Sequence, residues 1–266
     1  MPASKNKFKA ALQGRLQQIG LWLNMAESLP AEIAGHAGFD WLVIDGEHGP
    51  NDLRSIFAQL QALATSPSEV VVRPPQGEAW IIKQLLDIGA RTLLVPMVDS
   101  AEQAEALVQA VRYPPAGKRG MGAAVARASG FNAIPDYVET ADNEICLLVQ
   151  AETMAAIDDL ERIAAVDGVD GIFIGPADLS ADMGYRGRID APEVQEVIEK
   201  AIGRIVAAGK PAGILTFNET FNRRYLDLGV TFLAVGSDVT EYASALRALA
   251  GRYGRGLGEP KLPTGY

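Results

Sequence analysis

Short, nearly unbroken apolar runs recur along this chain and alternate with longer stretches in which apolar residues return every three or four positions. The runs Trp41–Ile44, Val70–Val72, Ile145–Val149 and Gly171–Ile174 are short for helices and lack polar alternation, so they read as strands buried on both faces. Segments 52–64, 101–113, 192–208 and 240–252 carry helical spacing, and Pro192 suits a first helical turn. The pattern predicts an N-terminal helix over residues 4–17 and eight strands near 20–25, 40–45, 69–73, 91–95, 145–150, 169–174, 211–215 and 230–235. Strands that alternate with helices imply βα units around a parallel sheet. Eight such units in 266 residues favour a closed (β/α)8 TIM barrel, one domain over residues 1–266, over an open doubly wound sheet.

Two segments interrupt the rhythm. The connection from Tyr113 to Glu144 holds Pro114-Pro115, Lys118-Arg-Gly-Met-Gly122 and Arg127, and a connection of this length is expected to be functional or interfacial. The tail Gly254–Tyr266 is rich in Gly and Pro and is expected to wrap a neighbour or to move.

Composition narrows the function classes. Hydrophobic residues at 48% and charged residues at 21% describe a globular chain. A net charge of −9 argues against nucleic acid as a partner, because phosphate neutralisation needs clustered Lys and Arg. The N-terminus lacks the apolar stretch of a signal peptide and no run reaches membrane-spanning length, so the expectation is a cytoplasmic protein with no membrane partner. The single Cys146 lies inside an apolar run and reads as a small buried hydrophobe.

Enzymes built on such barrels place their chemistry at the C-terminal ends of the strands. There the second strand gives Asp45, Glu47 and His48, the third Arg73, the fifth Gln150 and Glu152, and the sixth runs into Gly175-Pro-Ala-Asp-Leu-Ser180. Glu152 and Asp178 suit a hard divalent cation, which takes one or two carboxylates and leaves room for water and substrate oxygens. Mg²⁺, Mn²⁺ and Co²⁺ are equally compatible with such a site. Zinc is disfavoured: His36 sits in a helical stretch and Cys146 is mid-strand. His48 is the natural general base. Arg73 either holds a carboxylate or stabilises a developing enolate, or forms a structural ion pair with Asp45 or Glu47. The turn at Gly175, Pro176, Ala177 and Asp178 could offer backbone N–H groups to a substrate carboxylate. Leu215 and Phe217, at the seventh strand's end, fit either acceptor selectivity or core packing. None of Lys5, Lys7, Lys9, Lys83, Lys118, Lys200, Lys210 and Lys261 falls at a strand's C-terminal end, which favours an enolate route over an iminium route.

The ordered set Asp45-Gly-Glu-His-Gly-Pro, Val72-Arg-Pro-Pro, Gly89-Ala-Arg-Thr-Leu-Leu-Val-Pro-Met, Lys118-Arg-Gly, Gln150-Ala-Glu-Thr and Phe173-Ile-Gly-Pro-Ala-Asp-Leu-Ser resembles the metal-dependent pyruvate aldolases of the HpcH/HpaI family over nearly the whole chain. The resemblance implies that His48 is the base, Asp87 tunes it and Arg73 stabilises the transition state. It further implies that Glu152 and Asp178 bind the metal, and that Gln150 with the backbone at Ala177 and Asp178 holds the pyruvate part. From the sequence alone Asp87 would rank as a helix-surface residue. The resemblance also implies a homohexamer, a trimer of dimers with exchanged C-terminal helices. The expected activity is a class II aldolase that cleaves 4-hydroxy-2-oxo acids to pyruvate, or hydroxypyruvate, and an aldehyde. The alternatives are a CoA-thioester lyase of the citrate-lyase β type and a catalytically silent barrel that binds metal or carboxylate.

Overall fold

The structure is a computed structural model and describes residues 1–255. Parallel strands β1 (Gln18–Leu23), β2 (Trp41–Asp45), β3 (Glu69–Arg73), β4 (Thr92–Val95), β5 (Cys146–Ala151), β6 (Gly171–Ile174), β7 (Ala212–Leu215) and β8 (Val230–Ser237) pair in chain order, and β8 closes on β1. All eight predicted strands are present, with ends within two residues of expectation. The helices among the described residues are α1 (Lys7–Gln13), α2 (Ser28–Gly35), α3 (Leu53–Ala62), α4 (Ala79–Asp87), α5 (Ala101–Val111), α6 (Tyr137–Glu144), α7 (Met154–Asp158), α8 (Leu160–Ala165), α9 (Pro176–Asp182), α10 (Pro192–Ala207), α11 (Glu219–Asp227) and α12 (Asp238–Gly251).

The phase of each strand decides what points inward, since successive side chains alternate between faces. Leu42, Ile44, Val72, Leu93, Val95, Ile172 and Ile174 face the helices in one large core. Trp41, Val43, Val71, Leu94, Leu148, Phe173 and Phe232 fill the barrel's interior in a second. Close packing there leaves no room for a side chain at Gly213, whose Cβ would come within 2.1 Å of the Phe232 ring. Extending the inward phase by one step places Asp45 above Val43, Arg73 above Val71 and Gln150 above Leu148. The polar rim is therefore the same row of positions as the apolar interior, continued past the point where the barrel is filled.

Helix α1 stoppers the opposite end, the foot, where Phe8 and Leu12 are buried and Phe8 packs 5.5 Å from Trp41. It is shorter than predicted: Asn6 caps it by accepting from Lys9 N, and Gly14 and the left-handed Arg15 (φ 53°) end it. The 113–144 connection is not a bare excursion. It carries two single-turn helices and α6, and it buries Arg119 against Tyr113, with the guanidinium 4.3 Å over the ring. Helix α12 has no buried residue, and Val239, Tyr242, Leu246 and Leu249 are exposed along it. The predicted tail lies outside the described residues from 256 onward.

Candidate active site

Asp45, at the end of β2, is fully buried and is the most heavily bonded side chain of the rim. Arg73 Nε and Nη2 each donate to it at 2.8 Å, Asn24 Nδ2 donates at 2.6 Å, and the backbone N–H groups of Glu47 and His48 donate at 3.0 and 3.3 Å. Burial alone would raise the Asp45 carboxyl, but the Arg73 guanidinium and these donors hold it below its usual value. The two-pronged pairing fixes the plane of Arg73. Its Nη1 is then left to approach Glu47 Oε2 at 2.7 Å and to donate to Gln150 Oε1 at 3.3 Å. The guanidinium lies 5.4 Å from the centre of the Trp22 ring. The ion pair expected with Asp45 or Glu47 is present with both, and the same guanidinium lines the cavity.

The next layer is Gln150, which passes the contact on by donating from Nε2 to Glu152 Oε2 at 2.8 Å. The Met97 N–H donates to Glu152 Oε1 at 2.7 Å. Burial pushes the Glu152 carboxyl up to about 7, the Met97 N–H opposes this, and the nearby Glu47 and Asp178 carboxylates add to the rise. Glu47 is raised as well, chiefly by burial. Gly175 allows the close approach of Glu152, since a Cβ there would lie 2.2 Å from Oε2.

These groups surround a cavity of about 290 Å³, lined by Trp22, His48, Arg73, Gln150, Glu152, Phe173, Gly175, Pro176, Ala177, Asp178 and Leu215. The expected site residues are therefore brought to one place except Asp87 and Phe217, the latter packing against the interior cluster instead of lining the cavity. Asp87 ends α4, which returns from the rim to the foot, and its Oδ1 accepts from Arg119 Nη2 at 2.8 Å. Within one chain it cannot orient His48, which stands half-exposed at the cavity's edge with Nε2 4.0 Å from Glu47 Oε2. A roomier groove of about 540 Å³ at the foot is lined by ion-paired Lys5, Glu144, Arg91 and Glu69 and gathers none of the expected site residues. The sequence reading missed Asn24 and the Met97 N–H, while the Arg73–Asp45 pair it offered as one of two alternatives is present. A backbone N–H carries no sequence signal.

The donor set fits a hard divalent ion. Asp45, Glu47 and Glu152 surround one guanidinium and Asp178 lines the same cavity; burial raises Glu47 and Glu152 first, and the neighbouring carboxylates add to the rise. No cluster of three or more His, Cys, Asp and Glu side chains able to enclose a metal occurs among the described residues. A cage of the zinc kind is therefore lacking, while an ion that takes two carboxylates and several water or substrate oxygens suits Glu152 and Asp178. Among the described residues no lysine lines the cavity.

A model of the HpcH/HpaI aldolase/citrate lyase family matches residues 18–245, which include all eight strands. The chain belongs to this family. Among its relatives, a hydroxypyruvate/pyruvate aldolase of Agrobacterium fabrum is 70% identical over the full length of both chains. A 4-hydroxy-2-oxo-heptane-1,7-dioate aldolase of Shigella sonnei is 56% identical over 94% of this chain and 95% of its own. The crystal structure of an HpcH/HpaI aldolase/citrate lyase family protein from Burkholderia cenocepacia superposes with a TM-score of 0.90 at 38% identity, over 94% of this chain and 99% of that one. This member of the HpcH/HpaI family is accordingly an enzyme, a carbon–carbon lyase of the aldolase type.

Proposed function

We propose that this aldolase reversibly cleaves a 4-hydroxy-2-oxo acid into pyruvate, or hydroxypyruvate, and an aldehyde, by a class II route that uses a divalent metal. The observation that carries the reading is the convergence of His48, Arg73, Gln150, Glu152 and Asp178 on one cavity that no lysine lines among the described residues. Glu152 and Asp178 would hold Mg²⁺, Mn²⁺ or Co²⁺. When bound, such an ion supplies Lewis acidity to the carboxylate and ketone oxygens of the 2-oxo acid.

The chain's own residues do the rest. Gln150 and the backbone at Gly175, Pro176, Ala177 and Asp178 orient the 2-oxo acid. Leu215 and Trp22 offer apolar walls. His48, directly or through one water, takes the proton of the C4 hydroxyl. The C3–C4 bond breaks, C4 leaves as the aldehyde carbonyl, and the bonding pair passes into the enolate of the 2-oxo acid. Arg73, held in plane by Asp45, faces the developing negative charge, and His48 returns the proton to C3.

Asp87 can act on His48 only from a second copy, and the exposed apolar face of α12 supports assembly. The homohexamer with exchanged C-terminal helices is the arrangement we put forward, in the cytoplasm. Among the described residues no helix is long and apolar enough to cross a membrane. The CoA-thioester lyase is less well supported, because relatives matching nearly the whole chain at 56% and 70% identity are named aldolases.

NMR-detected deuterium exchange of the pyruvate methyl protons tests the proposal without knowledge of the aldehyde. Exchange that requires Mg²⁺ or Mn²⁺, stops on chelation and disappears in His48→Ala is the expected result. Absence of exchange with both pyruvate and hydroxypyruvate, whichever metal is supplied, would overturn it.

A further inference from the structure

Strand β4 contributes no side chain to the lining of the cavity; its inward positions Thr92 and Leu94 lie beneath it. What this part of the barrel delivers is a peptide. Just past the end of β4, Met97 has φ 55°, the left-handed region that L side chains disfavour. Its side chain is half-exposed, so core packing does not impose the conformation. The consequence of the turn is visible instead in the backbone: the Met97 N–H points back at Glu152 Oε1, at 2.7 Å.

The neighbouring contacts make this aim rigid. Val98 N donates to Gln150 O at 3.1 Å, and Thr153 Oγ1 donates to Asp99 Oδ1 at 2.5 Å. The segment after β4 is thus laced to the segment that carries Gln150 and Glu152, above and below the carboxylate. Oε2 is confined separately by the Gln150 amide and by the backbone of Gly175, where even a methyl group would collide. With Oε2 fixed on one side and Oε1 on the other, the carboxylate has one orientation. Each oxygen keeps a second lone pair for a further partner. Strained backbone persists where surrounding contacts over-determine it, and it concentrates at functional sites.

We infer that the left-handed turn at Met97 is a positioning device that sets Glu152 for the divalent cation, acting through the backbone N–H and not through the methionine side chain. The inference rests on the reading of Glu152 as a metal ligand. Loss of the donor leaves the carboxylate held at Oε2 alone, with one fewer hydrogen bond and no fixed direction for Oε1.

The test is Mn²⁺ binding to the full chain, followed by electron paramagnetic resonance, with circular dichroism to establish folding. Met97→Ile, whose β-branch resists the left-handed region, and Met97→Pro, which has no N–H and a fixed negative φ, are expected to bind Mn²⁺ about tenfold more weakly, equivalent to about 1.4 kcal/mol. Met97→Gly and Met97→Asn accept the same backbone and are expected to remain within about twofold of the unsubstituted chain. Folded Ile and Pro variants with undiminished affinity would overturn the inference, as would Gly and Asn variants that lose as much as Ile. Glu152→Ala separates the two levels: undiminished Mn²⁺ binding in that variant overturns the ligand assignment and this inference together. Lost binding there with an intact Met97→Ile overturns this inference alone.

Discussion

At the foot of the barrel Asn6 is buried and every polar group of its side chain has a protein partner. Its amide donates to Thr92 Oγ1 and Glu144 O, and its oxygen caps α1. At the rim Arg73, Asp45 and Glu152 are equally buried and Glu47 partly so, but there the account stays open: Glu47 Oε2 has only an ion-pair contact, and Glu152 is pushed up to about 7. Around Asn6 the foot is closed by matched donors and acceptors beside an aromatic plug, although the buried Arg119 nearby leaves Nε and Nη1, and Tyr113 its hydroxyl, without a hydrogen-bond partner among the described residues. At the rim Asp45 and Glu152 accept hydrogen bonds on both oxygens, while Glu47 and Glu152 are raised chiefly by burial beside an open cavity. Satisfaction of the kind seen around Asn6 serves stability, and carboxyls raised by burial at the edge of a cavity suit a place that takes a ligand.

Substitutions can break or sharpen this contrast. The largest effect is expected from His48→Ala, a loss of about 10²–10⁴ in aldol cleavage rate with an unchanged thermal midpoint, because His48 is half-exposed and packs little. Arg73→Ala is the substitution that should break the contrast, since it strands the buried Asp45. A stability loss of about 3–5 kcal/mol in urea unfolding is expected together with lost turnover. Phe8→Ala, at the foot, should cost a similar or slightly smaller stability while kcat/KM of the folded protein is kept, because the cavity it leaves lies beneath the interior layers. Asn6→Ala removes a cap and three further hydrogen bonds and should cost about 1–2 kcal/mol, again without a kinetic change.

The smallest effect concerns pH. Burial alone would raise Glu144, but the Lys5 ammonium and the Asn6 N–H hold its carboxyl below 4.5. A carboxyl lowered on folding contributes stability above its unfolded value that disappears as the pH falls through the lowered one. Glu144→Gln is therefore expected to lower stability near pH 8, where the lowered carboxyl contributes in full, and to flatten the acid limb below about pH 4.5, where that contribution is lost. An unaltered acid limb in thermal melts would show that the foot's ion pair with Lys5 is idle.

How much of this was readable in advance follows from period and phase. A two-residue period locates strands, and it also says which residue after the last buried one points inward. That is why Arg73, Gln150 and Leu215 were legible at the rim. Helical spacing gave α5 and α10 nearly to the residue, whereas α6 was hidden because Tyr137-Val-Glu-Thr-Ala-Asp-Asn-Glu144 offers few apolar positions to set a phase. Asp87 was named through family resemblance, and its seat beside Arg119 at the foot shows why no reading of one chain could give it a role at the rim. The Met97 N–H was illegible for a different reason: nothing in the sequence Val-Pro-Met-Val announces a left-handed residue where Gly or Asn would be the usual choice.

The stopper formed by α1 also governs traffic. A filled interior and a plugged foot close the cavity from below among the described residues, so a ligand enters and leaves from the rim. On the seating proposed above, with the 2-oxo acid against Gln150 and Glu152, the aldehyde would occupy the doorway. In the cleavage direction it would have to clear the entrance before the 2-oxo acid could follow, and in the synthetic direction the 2-oxo acid would have to enter first. The order of arrival and departure would then follow from the end of the barrel that carries none of the proposed site residues.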